Sequence, residues 1–317
     1  MEPIDFVVTW VDGSDPEWVE KKNKAVAESG SDFAYEHRYR DWGIFKYWFR
    51  GVQEYAPWVN KVYLVTDGQL PDWINLECEK LVHIRHDQII HSQFLPTFNT
   101  NAIELAVSRI PGLSEHFVLF NDDTFINQPI DPEYFFVDGL PVEMFKETYI
   151  NPRGAHLAAM QMMNMYQINR FFCKDPETGE IVERDSCPQG TPVYGFWDHH
   201  APVPYKRSVF HLVTQEKCTF EVRQTQKHPF RSAANITSWL VRYWQLASGE
   251  FSNTRTNSSR TVNIESGMSL ALEFLQDPEV KMLCINDQGV ISDYEKLQKI
   301  YRDAFEAKLP QRSMFER

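Results

Sequence analysis

Three runs of the chain are apolar almost without interruption and rich in β-branched or aromatic residues: DFVVTWVDG from Asp5, KVYLVTDG from Lys61 and HFVLFNDD from His116. Short continuous runs of this kind predict strands covered on both faces, as in a parallel sheet. Each closes on a polar turn bearing an acid: Asp12, Asp67, and the pair Asp122 and Asp123. Between the runs the period becomes helical. Ile44, Phe45, Trp48, Phe49 and Val52 share one face from Trp42 to Tyr55, and Ile103, Ala106, Val107 and Ile110 share one from Ala102 to Ile110. Strand and helix in alternation predict an α/β fold.

The first two strand ends read alike, DGSDPEWV at 12–19 and DGQLPDWI at 67–74. One local solution used twice accounts for this: Asp-Gly turns the chain out of the strand, and Pro suits a first helical turn, where no N–H is needed. Beyond about residue 131 the strand signals weaken. Residues 151–195 are mixed, and their AAMQMMNMYQ string suggests adaptable packing. Helical pattern returns at Ile236–Ser248 before Gly249, Ser266–Gln276 before Pro278, and Ser292–Leu309 before Pro310, the last opening on a capping-box pair, Ser292 and Glu295. The polar stretch 252–261 is expected to be a mobile loop.

Composition narrows the class. In 317 residues, 43% hydrophobic and 24% charged residues describe a globular protein, and a net charge of −12 opposes general attraction to nucleic acid or an anionic bilayer. An anionic substrate must then meet a local cluster of cations. No run approaches the ~20 apolar residues of a spanning helix, and no basic residue precedes the first apolar run, so a cytoplasmic protein is expected. Five cysteines, odd in number and widely spaced, are expected as free thiols, with a bridge between Cys173 and Cys187 the open alternative.

In open parallel sheets ligands bind beyond the carboxyl ends of the strands, where the three acidic turns would meet. Asp122 and Asp123 there suit a divalent metal held against a diphosphate, or equally an Asx turn or helix cap. Cations come from elsewhere: Arg38 and Arg40 before one predicted helix, His228 and Arg231 before another. An Arg near a helix N-terminus opposes the dipole and so tends to serve something anionic, a structural ion pair being the other reading. The proline-bound string FWDHHAPVPYKR offers His199 and His200 on rigid irregular backbone, suited to a proton acceptor. Trp10, Trp18, Trp42, Trp197 and Tyr205 lie near these motifs as candidate sugar-stacking faces or core residues.

Taken in order, TWVDGSD, RYRDWGIFKYWFRGVQEYAPWVNKVYLVTDGQLPDWIN, LPTFNTNAIE, RIPGLSEHFVLFNDDTF, HHAPVPYKR, FRSAAN and CINDQ resemble the conserved regions of the Stealth family. That family holds bacterial capsular or cell-wall polysaccharide phosphotransferases and the catalytic subunit of lysosomal GlcNAc-1-phosphotransferase. The resemblance implies an α/β, Rossmann-like and GT-A-like sheet, mostly parallel and flanked by helices, in one catalytic domain. Residues 1–137 would be the nucleotide-sugar half, and 138–317 a mainly helical half supplying His and Arg. It implies transfer of a sugar-1-phosphate from a UDP-sugar to a glycan or lipid-linked oligosaccharide hydroxyl, with release of UMP, at or near the inner face of the membrane. By position, Trp10, Val11, Asp12, Gly13, Ser14, Asp15, Arg40 and Asn101 fall on the donor side. Glu104, Asp122, Asp123, His200 and Arg231 fall on functional positions, and Asp122, Asp123 and Asp287 would hold Mg²⁺ or Mn²⁺. Asn235 departs from the Asp common in the family. A metal-dependent glycosyltransferase releasing UDP and a non-catalytic glycan-binding protein are the rival readings.

Overall fold

The computed structural model describes residues 2–31, 34–151 and 155–317. The three apolar runs form parallel neighbours: β1 (Ile4–Thr9) pairs with β2 (Val62–Thr66) on one side and with β4 (His116–Phe120) on the other, and β3 (Leu81–Arg85) extends the sheet beyond β2. Two further strands, β5 (Thr124–Ile126) and β6 (Val203–Lys206), follow in the chain, and β6 closes the sheet antiparallel to β4, giving the order β6-β4-β1-β2-β3. The fold is therefore α/β around a mostly parallel sheet flanked by helices.

Continuous apolar sequence makes sense because both faces are covered. Ile4, Phe6 and Val8 of β1 enter one core with the helix α2 (Phe45–Tyr55), while Val7, pointing oppositely, enters another with Ile103, Leu119 and Leu240. Phe6 is fully buried among Trp58, Phe120 and Phe135. Truncating such a ring costs about 3–5 kcal/mol.

A second sheet, β7 (Ser259–Asn263), β8 (Met282–Asn286) and β5, joins distant stretches, with β7 parallel and β5 antiparallel to β8. The later chain thus supplies strands to both sheets besides its helices.

Several local expectations change. The helix expected over 102–110 is two short turns, Thr100–Glu104 and Val107–Arg109. Its polar positions Glu104 and Ser108 turn inward, Glu104 accepting from the Ser238 hydroxyl at 2.6 Å, and Leu105 and Ala106 form the turn between the two pieces. DGSDPEWV opens the helix α1 (Pro16–Ser29), whose cap Asp15 accepts from the Trp18 N–H at 2.8 Å. DGQLPDWI opens none, because Leu70 stands in the capping place and offers no acceptor; Ile74 instead bridges to Glu316. Asp293 rather than Ser292 caps the last helix, Tyr294–Lys308, since the Ser292 hydroxyl is taken by Glu265. Within 252–261, Ser259 onward is strand β7, and Ser252 N–H donates to the Pro141 carbonyl at 2.8 Å. The Met-rich string lies in the helix Ala155–Phe171, with Met160 and Met165 buried, and all five cysteines are free thiols.

Candidate active site

Residues just beyond β1, β2 and β4 open on a cavity of about 370 Å³. From the sheet edge it is lined by Trp10, Val11, Asp67, Asp122 and Asp123; from the 37–42 stretch by His37, Arg38, Tyr39 and Trp42; and from the later chain by His200, Arg231, Asn286 and Asp287. Asp122, Asp123, His200 and Arg231 thus surround one space, although 109 positions separate the first from the last.

The second sheet holds this meeting in place. The Ile285 N–H of β8 donates to the Asp123 carbonyl at 2.9 Å, and Thr261 of β7 donates its hydroxyl to the His200 carbonyl at 3.2 Å. Between the side chains, His200 Nε2 stands 3.6 Å from Asp123 Oδ2. Asn286 Nδ2 donates to that carboxylate at 3.0 Å and lies 3.3 Å from His200 Nε2. The hydrogen-bonding pull of Asp123, opposed by burial and aided by the Asp123 and Glu104 charges, raises the His200 pKa above its ordinary value. Burial pushes Asp123 up, but His200 more than reverses this and holds the carboxyl below its usual range. Asp122 has no such partner: burial first, then Asp123 and Asp41, push it up to about 7. Glu104 is raised by burial against the hydrogen bond from Ser238 and the charges of Arg231 and His200, so it feels the site from behind its wall.

Facing the acids are cations without carboxylate partners, Arg38 resting instead on the Tyr35 ring at 4.9 Å. Among the described residues no carboxylate lies within ion-pair distance of Arg38 or Arg231, and burial followed by the Arg231 charge lowers the Arg38 pKa. Arg40 differs, binding Asp287 Oδ2 at 2.7 Å, an oxygen that also accepts from the Trp42 indole at 3.1 Å. Of the TWVDGSD string, Thr9, Trp10 and Val11 line the cavity while Asp12 to Asp15 build the turn. Asp12 accepts from the Ser14 N–H and hydroxyl at 2.8 and 2.6 Å, and Asp15 caps α1. Gly13 is a site of close approach, where a Cβ would stand 2.1 Å from the Tyr39 carbonyl oxygen. Asn101 is buried outside the cavity, its Nδ2 3.1 Å from Met160 Sδ. Tyr205 is core, and Trp197 stands by Lys146 and His199. His37, Tyr39 and Asn121 line the cavity without any sequence signal of their own; Arg38 shares the RYR string with Arg40.

Which groups fit a cation follows from donor chemistry. Asp123, His200 and Cys284 bring ligating atoms within 4.8 Å of one another. Burial, then the Asp123 charge, holds the Cys284 thiol well above its ordinary pKa, so it offers no thiolate and the trio is a poor home for a hard ion. Asp122 and Asp123 fit better: two adjacent carboxyls, one raised by burial and then by the other's charge, are what a divalent cation with oxygen preference relieves. Asp287 is already neutralised by Arg40.

Residues 2–30 match the model of Stealth protein CR1, conserved region 1, and residues 38–142 that of Stealth protein CR2, conserved region 2. A capsular polysaccharide phosphotransferase, WcwK, of Streptococcus pneumoniae is 39% identical over 100% of this chain and 99% of its own length. The chain belongs to the Stealth family. Within that family it is also 39% identical to a receptor polysaccharide phosphotransferase, WefC, of Streptococcus oralis, over 100% of both chains. An exopolysaccharide phosphotransferase, cps2G, of Lactiplantibacillus plantarum is 39% identical over 99% of this chain and 96% of its own. Among solved structures, the galactosyltransferase LgtC in complex with donor and acceptor sugar analogs covers 94% of this chain and 95% of its own at 9% identity and a TM-score of 0.44.

Proposed function

We propose that this Stealth protein transfers a sugar-1-phosphate from a UDP-sugar to a hydroxyl of a polysaccharide acceptor, forming a phosphodiester and releasing UMP. The observation that carries the reading is the single cavity in which Asp122, Asp123 and His200 face Arg231. Phosphoryl transfer asks a protein chiefly for alignment and charge neutralisation, and these side chains supply both. The relatives' names, all polysaccharide phosphotransferases, support the same class of acceptor and bond.

The acceptor oxygen attacks the phosphorus that carries the sugar. The bond from that phosphorus to the bridging oxygen breaks, and UMP departs with the electron pair. His200, made more basic by Asp123, accepts the proton lost by the acceptor hydroxyl. Arg231 and Arg38 neutralise the phosphoryl oxygens. Mg²⁺ or Mn²⁺ held by Asp122 and Asp123 would supply charge neutralisation of the diphosphate. Trp10 and Val11 border the donor, while Gly13 lets the Tyr39 backbone approach the turn that presents them. Glu104 acts through its charge on His200 and Arg231. The reading carries with it a cytoplasmic location, the acceptor being met at the inner face of the membrane. No helix among the described residues is long and apolar enough to cross that membrane.

The test is incubation with a panel of UDP-sugars and a dephosphorylated polysaccharide, followed by chromatography of the nucleotide, with and without EDTA. UMP that disappears on chelation is the expected product. UDP would establish a glycosyltransferase breaking the sugar C–O bond, and neither nucleotide would leave a glycan-binding protein.

A further inference from the structure

Cys284 lies at the middle of β8, and the register of the second sheet sets it between two groups of the candidate active site. On one side it stands opposite Thr124 of β5, the residue that follows Asp123. On the other it stands opposite Thr261 of β7, whose hydroxyl donates to the His200 carbonyl. One row across three strands thus gathers a thiol, a carboxylate and an imidazole, whose ligating atoms lie within 4.8 Å of one another.

This donor set has a chemistry distinct from that of Asp122 and Asp123. Sulfur, imidazole nitrogen and carboxylate oxygen are the three ligand types of zinc, which takes four donors in a tetrahedron and accepts water as one of them. Donors in such a tetrahedron stand about 3.3–3.6 Å apart, so the trio closes with shifts on the order of an ångström. His200 Nε2 and Asp123 Oδ2, 3.6 Å apart, are already in place. A hard ion gains nothing from a protonated thiol, whereas a thiophilic ion displaces the proton to solvent and binds the sulfur. The ion would enter from the cavity, because Cys284 is fully buried while the His200 and Asp123 side chains are 36% and 24% exposed and line that space. Against both of them Asn286 already sets a positively polarised amide nitrogen.

We propose that Asp123, His200 and Cys284 form a site for a thiophilic divalent cation of the zinc class, and that its occupation switches transfer off. The switch rests on the transferase reading above; the site does not. An ion there takes the His200 lone pair that would accept the acceptor's proton, and an Asp123 oxygen that would face Mg²⁺ or Mn²⁺.

The experiment titrates the metal-free full chain with Cd²⁺, whose bond to a thiolate gives an ultraviolet charge-transfer band, and with Zn²⁺ by calorimetry. The band, saturating at one ion per chain, is expected. Cys284→Ser should abolish it and weaken binding at least tenfold. Cys284→Ala, which removes the donor altogether, is the second variant and should do the same. In the UMP-release test with Mg²⁺ present, equimolar Zn²⁺ should stop the native chain, and both variants should need at least tenfold more, each measured against its own uninhibited rate. No band from the native chain, or a band undiminished in both variants because another cysteine supplies it, would overturn the site. The band without inhibition would overturn the switch. No nucleotide release from any UDP-sugar would remove the transferase reading, while the band would still establish the site.

Discussion

His199 and His200 are adjacent in the chain yet belong to two opposite kinds of charge cluster. His199 lies with Glu143, Arg242 and Asp198 in a closed knot. Arg242 is 1% exposed and Glu143 0%; the guanidinium donates to Glu143 at 2.9 and 3.0 Å and to Asp198 at 3.1 Å, and His199 Nε2 completes the group 3.3 Å from Glu143. Burial pushes Glu143 up, but Arg242 and then the His199 hydrogen bond more than reverse it, so the carboxyl sits well below its usual range. His200 lies among acids that Arg231 faces without pairing, where Asp122 rises to about 7. The knot pairs Glu143 and Asp198 with Arg242 and contributes rigidity, while His199 Nδ1 and the neighbouring Arg255 guanidinium nitrogens are buried without hydrogen-bond partners. The cavity leaves its charges for a visitor, as expected where chemistry is done.

Breaking each cluster should therefore give different phenotypes. The largest effect expected is from His200→Ala, which should reduce transfer about 10²–10⁴-fold with thermal stability and UDP-sugar binding nearly intact. Equal loss of binding, read by calorimetry, would make His200 a donor ligand instead. Arg242→Met should cost about 3–5 kcal/mol in urea unfolding by stranding Glu143 in the core, and an unchanged midpoint would show that the knot is not a stabilising unit.

Acid should loosen the knot in two stages. Burial, followed by the Arg255 charge, lowers the His199 pKa to about 4, so below the ordinary 6.5 the unfolded chain takes up the proton first and stability falls. Glu143 has a depressed folded pKa, so its contribution is full above the unfolded value of 4.5 and is lost as pH falls further. Asp122, raised to about 7, gains stability over the same window, so the knot is read by difference: relative to His199→Gln, the native chain should lose melting temperature from pH 7 toward 4. Smallest of all, Asp293→Ala lies outside both clusters and should cost about 1 kcal/mol through the lost helix cap, with transfer rates unaltered.

The parallel strands and their acidic ends were legible in the sequence because a strand buried on both faces must be apolar throughout, as β1, β2 and β4 are. The cations were legible only as residue types. Arg40 and Arg231 look alike in sequence, yet Arg40 finds Asp287, 247 positions away, and Arg231 finds no carboxylate among the described residues. No local pattern carries that distinction. The broken helix at 102–110 was hidden for a similar reason: nothing nearby says that Glu104 will turn toward Ser238, 134 positions on.

The strands β4 and β5 wait for partners that come much later, β6 at Val203–Lys206 and β8 at Met282–Asn286. At ~5–20 residues per second, a ribosome needs roughly eight to thirty seconds to travel from β5 to β8. During that interval the nascent polypeptide displays raw hydrogen-bonding edges, one of them beside the future reaction centre. Chaperone shielding, or crowding by sister chains on the same message, would then bear most heavily on the middle of synthesis, and a truncated product ending before β8 would emerge both inert and adhesive.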